Sequence, residues 1–213
     1  MMKTVNKITL LIVCLLISLF ANAQIKLSKE EKETLQNVAK QKIDFFQDQL
    51  SAIASSKISP ENKNRAVKST LSIFIGKGEP YVTYGGDNFT EEEHNSGVKM
   101  QTSSINSRAK KAQLMKKYLE RMKGMLNYTE VVIESSDAVK IGDIYLDPAT
   151  NRYISTASFC QHFAGYRDGY KVYEDYTVKK VKIYIDPSIV ELPDGKHTVW
   201  LVQLGDMSVV ETW

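Results

Sequence analysis

Cys160 and His162 stand two residues apart in a β-rich run, the spacing that puts both side chains on one face of a strand. A thiol within reach of an imidazole is what a cysteine nucleophile requires, because a base must take the thiol proton before attack. A working pair also needs a group that orients the imidazole and donors for an oxyanion, and no motif here supplies either. A buried cysteine near a hydrogen-bonded strand histidine is equally an ordinary sheet neighbourhood.

Acid–base chemistry is the second option. An apolar pocket can raise the pKa of a carboxyl group while a tyrosine or an acid holds a developing oxyanion. Asp143, Glu174, Asp175 and Asp206, with Tyr153, Tyr166, Tyr173 and Tyr176, are the right types, and the sequence does not show which converge. Tyr170, Tyr184, Trp200 and Trp213 extend this aromatic set along the strands. Tyrosine and tryptophan offer an apolar face with a polar handle, suited to a sugar, a peptide or a second subunit. Cys160, His162, Tyr166, Tyr173 and Tyr176 are therefore taken as candidate ligand-binding residues, and no residue is assigned a catalytic role.

Metal chemistry finds little support. His94, His162 and His197 are far apart and lack zinc spacing, and Glu91-Glu92-Glu93-His94 reads as a solvated loop tip. No metal or cofactor is expected. A basic patch is expected from Arg108, Lys110, Lys111, Lys116, Lys117 and Arg121, which read as the exposed side of one helix over Ser107–Leu126. Such a patch attracts anionic partners, or is simply solvated.

The elements that position these residues follow from periodicity and punctuation. Ser28 with Glu31 fits a capping box before an apolar stripe of Leu35, Val38, Ile43, Phe46, Leu50 and Ile53, predicting a helix to about Ser55. Ser59-Pro60 starts a second helix with Val67, Leu71, Phe74 and Ile75 on its buried face, stopping at Gly76. Gly76–Gly97 reads as an irregular surface loop with one brief strand, Tyr81–Tyr84. Val98–Ser104 alternates as a strand, and the third helix follows. From Tyr128 the period is two: strands are predicted over Tyr128–Ser135, Ala138–Leu146, Arg152–Tyr166, Tyr170–Ile185 and His197–Thr212. Asp168-Gly169 and Pro193-Asp194-Gly195 mark the last two hairpins, and Gly205 marks a bend or bulge.

The first residues read as a processing signal. Lys3 and Lys7 precede the apolar run Ile8–Phe20, and Ala21-Asn22-Ala23 supplies the small residues of a cleavage site before Gln24. That run is shorter than the roughly 20 residues a membrane span needs. Cys14 does not fit a lipoprotein signal, because Val13 precedes it and the apolar run continues beyond it. Export to the periplasm or the exterior is expected, with 1–23 removed, 24–213 as one domain and no transmembrane segment remaining. Only Cys160 survives cleavage, so no internal disulfide forms, and the net charge of +3 falls close to neutral. Nucleic acid is excluded as an expected partner by this balance and by export.

Helix, helix, loop, strand, helix and then a run of antiparallel strands is an α+β order: three N-terminal helices packed on a strongly curved, mainly antiparallel sheet. In that order of elements the chain resembles the nuclear transport factor 2-like superfamily, the cystatin-like cone, over Ser28–Trp213. More narrowly, VKMQTSSINSRAKKAQLMKKYLERM, FCQHFAGYRDGYKVYEDYT and VWLVQLGDMSVVETW resemble stretches of an uncharacterised group of exported Bacteroidota proteins. The resemblance implies a cone whose open sheet face commonly serves as a homodimer surface. It also spans ketosteroid-isomerase-like enzymes, dehydratases and non-catalytic binding modules, among which fold cannot choose. The expected function is an exported, non-catalytic binding or protein-interaction module with a small-molecule or envelope-protein partner. The alternative is a small-molecule enzyme using acid–base residues in the cone pocket. An enclosed pocket with converging polar groups separates the two.

Overall fold

The structure is a computed structural model and describes residues 26–85, 90–94, 97–125, 127–148 and 150–213, with the backbone alone for 82–85 and 90–94. The leader expected over 1–23 and its expected cleavage site lie outside the described residues. The chain divides into the compact units Met1–Lys32 and Glu33–Trp213. In the first, the capping box forms as its chemistry requires: Ser28 Oγ accepts from Glu31 N at 3.1 Å, and Glu31 Oε2 accepts from Ser28 N at 2.7 Å. This opens helix α1 (Lys29–Ala54).

Within the second unit the described residues form an α+β arrangement in which an open, mixed sheet of eight strands carries the chain's chemistry. Helix α2 (Pro60–Ser72) begins at Ser59, whose Oγ accepts from Asn62 N at 3.3 Å, with Pro60 where its missing N–H is harmless. It ends before Phe74, which the periodicity placed on its buried face. Phe74 is instead extended, forms a parallel bridge to Leu204 and meets the Phe46 ring edge-on at 5.5 Å. The reversal runs through a short 3-10 turn, Ile75–Gly78, with Gly76 at φ +70°.

The segment expected as an irregular loop holds a hairpin. Strand β1 (Tyr81–Gly85) pairs antiparallel with β2 (Thr90–His94), so the acidic run is backbone-paired strand rather than a loop tip. Strand β3 (Lys99–Thr102) then pairs antiparallel with β4 (Lys111–Leu114), in register Lys99↔Leu114 to Thr102↔Lys111. This corrects the third helix. Helix α3 covers only Met115–Lys123, because the residues before it complete a ladder on the edge of β3, a tertiary pairing that outweighs local helix propensity. Arg108, at φ +48°, lies in the turn between the two strands.

Strand β5 (Glu130–Ser135) and the short β6 (Lys140–Ile141) and β7 (Tyr145–Asp147) all pair with β8 (Arg152–Arg167), so the single strand expected over Ala138–Leu146 is broken at Gly142–Ile144. Strands β9 (Tyr170–Leu192) and β10 (Gly195–Thr212) complete the path β4-β3-β10-β9-β8-β5. Asp168 at φ +52° and Gly169 at φ +84° make the tight turn that their dipeptide predicts. Gly205 falls at a register shift between Leu204 and Met207, as a bulge glycine should, and its missing Cβ admits the Tyr184 ring.

Strand β9 continues well past Ile185, the last of its residues paired with β8. Pro187 is tolerated there because it lies on a sheet edge. Beyond that point β9 and β10 run on as a two-stranded ribbon whose one face exposes Val190, Leu192, Val199 and Leu201. The opposite face of the main sheet, with Val181, Ile183, Ile185, Val202, Leu204 and Met207, forms the core with the stripe Ile43, Phe46, Leu50 and Ile53 of α1. Ser51 of α1 accepts from Ile133 N at 2.8 Å and donates to Ile133 O at 3.0 Å, closing the outer edge of β5. Among the described residues, no helix is long and apolar enough to cross a membrane.

Candidate functional site

Following the core face of β9 backwards from Ile185, Ile183 and Val181 in steps of two, the next residues are Lys179, Thr177, Asp175 and Tyr173. The pleat keeps these polar side chains on the same face as the core. Opposite them on β8, Phe159, Gln161 and Phe163 pair with Lys179, Thr177 and Asp175. Helix α3, through Tyr118 and Met122, and the β3–β4 loop, through Ser104 and Ser107, roof this end of the sheet and leave a cleft of about 700 Å³ open to solvent.

Its floor carries two buried charges. Asp175 is 7% exposed; its carboxylate accepts from the Tyr173 hydroxyl, and the Ile105 backbone N–H also favours its charged form. Burial pushes the Asp175 carboxyl above its ordinary range, against the Tyr173 hydrogen bond and the charge of Lys179. Lys179 is 3% exposed and donates to Gln101 O at 3.3 Å. Burial brings its ammonium down to about 8, with Asp175 pulling the other way. Between them in register sits Gln161, 6% exposed, whose Nε2 has no hydrogen-bond partner. A buried donor left in that state costs about 1–3 kcal/mol unless something enters to accept from it. One other buried side-chain atom shares this condition among the described residues, Gln47 Oε1, in an amide whose Nε2 already donates to Ser135 Oγ at 2.5 Å.

The walls are aromatic. Tyr128, Phe163 and Tyr173 touch one another with ring centroids 5.7 to 6.4 Å apart. Tyr128 lies directly over Gly165, where any Cβ would come within 2.5 Å of the ring. Burial raises the phenol pKa of Tyr118, Tyr128 and Tyr173, keeping all three as neutral hydroxyls at ordinary pH. Arg121 stands at the rim.

Of the residues singled out by type and spacing, the cleft gathers Tyr173, Asp175 and Arg121, with Lys111 at its edge. Cys160 and His162 do share a face, but it is the face turned away from the cleft, since both alternate with Gln161. His162 Nδ1 lies 3.2 Å from Glu134 Oε1 and Nε2 lies 2.8 Å from Glu174 Oε1, so both ring nitrogens are engaged by carboxylates rather than aimed at the thiol. Tyr176 stacks on the His162 ring at 4.6 Å and on Trp213 at 6.3 Å. Hydrogen bonds from Lys171 and His162 hold the Glu174 carboxyl below its ordinary range. Tyr166 is half-buried, and its carbonyl accepts from Thr129.

The other acid–base candidates disperse. Asp143 is exposed between β6 and β7, Asp206 accepts from Lys99 N at 2.7 Å beside the bulge, and Tyr153 meets Trp200 edge-on. The basic patch also divides. Arg108 and Lys110 lie in the β3–β4 turn, Lys111 in β4, and Lys116, Lys117 and Arg121 on α3. Lys116 is bonded to Glu79 at 2.6 Å, and Lys110 donates to Val210 O at 2.8 Å. A second depression of about 500 Å³ lies on the outer sheet face between Lys99, Lys180, Lys182 and Asp206. Its charges are exposed, so it lacks the desolvated polar groups that give the cleft its chemistry. Among the described residues no three His, Cys, Asp or Glu side chains cluster as metal ligands.

Lys179 and Gln161 were not singled out by type. The signal for both was present, because the apolar alternation of β9 places Lys179 on the core face when counted from Val181. No known protein family, curated protein or solved structure matches the chain.

Proposed function

We propose that this chain is an exported small-molecule-binding protein of the cone type, with its ligand in the cleft between α3 and the β8–β9 face. The observation that carries this reading is the cleft itself: Asp175, Lys179 and the unpartnered Gln161 amide are all buried on its floor. A buried ammonium and an unsatisfied buried amide donor diminish stability when nothing binds them, and an aromatic-walled pocket with a few convergent polar groups is the usual form of a small-molecule site. Export rests on the leader, Lys3 to Ala23, and membership of the nuclear transport factor 2-like superfamily rests on the order of elements.

The test is a fluorinated fragment library screened by ¹⁹F NMR against the protein and against Ser107→Trp, which fills the mouth from an exposed turn. Hits on the parent protein that vanish in Ser107→Trp support the reading. Hits indifferent to that substitution, or none at all, refute it.

The Tyr173–Asp175 pair favours the enzymatic alternative, because a desolvated carboxyl beside a neutral phenol is the acid–base arrangement that proton transfer at a carbonyl uses. That alternative fails if ligands found in the screen are returned chemically unchanged. The apolar ribbon face favours a second copy of the chain as partner, since an isolated two-stranded ribbon is only marginally stable in water. Light scattering is expected to report a dimer that Val190→Glu with Leu201→Glu converts to monomer; a monomeric parent protein removes this partner.

A further inference from the structure

We infer that the ligand of the cleft carries a carboxylate, seated at the inner end on Gln161 Nε2 and Lys179 Nζ, with an apolar or aromatic body lying between Tyr118, Tyr128, Phe163 and Tyr173. This rests on the reading of the cleft as a ligand site and specifies what fills it.

Three observations set the chemistry. Gln161 presents a donor with no acceptor, and Lys179 presents an ammonium whose one bond, to Gln101 O, leaves donors unused. The missing partner is therefore an acceptor. Charge decides which kind: Lys111, Arg121 and Lys179 line the cleft against Asp175 alone, leaving an excess of positive charge that an anion offsets and a neutral carbonyl does not. Geometry decides the orientation. The carboxylate of Asp175 is already engaged by the Tyr173 hydroxyl, and it repels a second anion, so the ligand's charge belongs at the Gln161–Lys179 end. A planar, singly charged group with two acceptor oxygens matches two neighbouring donors. A phosphate, with more charge and more acceptor sites, would leave oxygens unsatisfied in this dry floor.

The experiment compares acids with their uncharged isosteres: benzoate, phenylacetate and 3-phenylpropionate against benzamide, phenylacetamide and 3-phenylpropionamide, titrated into the purified protein by NMR. At least one acid is expected to bind about tenfold or more tightly than its amide, the difference one charge-assisted contact supplies. Gln161→Leu and Lys179→Met should each erase that preference, and the acid's affinity should fall as pH rises through about 8, where Lys179 loses its proton. The acid–amide comparison needs no variant, so it stands even if one of these fails to fold. Acids and amides bound alike in the cleft would overturn the carboxylate while leaving the cleft as a ligand site. No binding by any probe would overturn both.

Discussion

Replacing Lys179 with methionine is expected to raise the melting temperature of the ligand-free protein at pH 7 while removing its preference for carboxylates. Lys179 is buried, and its bond to the protein is a single contact to a carbonyl. The fall from 10.5 to about 8 corresponds to about 3 kcal/mol by which burial disfavours the charge. Methionine keeps the length of the side chain, needs no partner and adapts to irregular space. Asp175 keeps its bond from the Tyr173 hydroxyl when Lys179 is replaced, and burial already favours its neutral form, so the variant strands no bare charge and recovers part of that cost, about 1–2 kcal/mol. For a chain of this size each kcal/mol moves the melting temperature by about 2–4 °C, so a rise of several degrees is expected.

The pH dependence separates this cause from better packing. Between about 8 and 10.5 the unfolded chain holds a proton on Lys179 that the folded chain has released. The unfolded state then binds more protons, so stability contributed by this residue rises with pH across that window. Lys179→Met lacks that rise. Thermal melts of the two proteins between pH 7 and 10 should therefore converge as pH increases. A variant less stable at pH 7, or one whose melts stay parallel to the parent's, would refute the picture of a buried ammonium only partly compensated by Asp175.

What the sequence revealed and what it concealed follow from how local each feature is. Ser28 with Glu31, Ser59-Pro60 and Asp168-Gly169 act within a few residues, and each makes the bond or turn its chemistry dictates. The stretch Lys111–Leu114 misled because its partner is β3, reached across a turn, and pairing along that edge decided its conformation. Cys160 and His162 were correctly placed on one face, but which face looks into the cleft depends on elements far away in sequence. The neighbours that occupy His162, Glu134 and Glu174, come from the strands on either side of it. Lys179 shows the reverse. In Val178-Lys179-Lys180-Val181 two adjacent lysines look equally solvated, yet counting the alternation from Ile183 and Ile185 sends one into the core and the other to solvent. A charge that continues an apolar stripe is the local mark of a desolvated site.

Substituting Asp175 is expected to act in the opposite direction from Lys179. Asp175→Ala removes the acceptor of the Tyr173 hydroxyl and takes away the compensation for Lys179. Breaking a buried charge arrangement from one side costs roughly 3–5 kcal/mol, so the melting temperature should fall by on the order of 10 °C. The loss has a specific address. Ile105 lies in the β3–β4 loop that roofs the cleft, and its N–H favours the charge of Asp175, so Asp175→Ala should speed hydrogen exchange at this amide by about tenfold or more, beyond any change in the β5–β8 ladder. Asp175→Asn keeps an acceptor oxygen at the same reach and should retain much of the loop's protection. Equal protection at Ile105 in the alanine variant would show that the loop is held by other contacts. The contrast with Lys179→Met bears on function: the carboxylate holds the roof of the cleft in place, whereas the lysine is kept at the expense of stability, and a ligand supplies the reason to keep it.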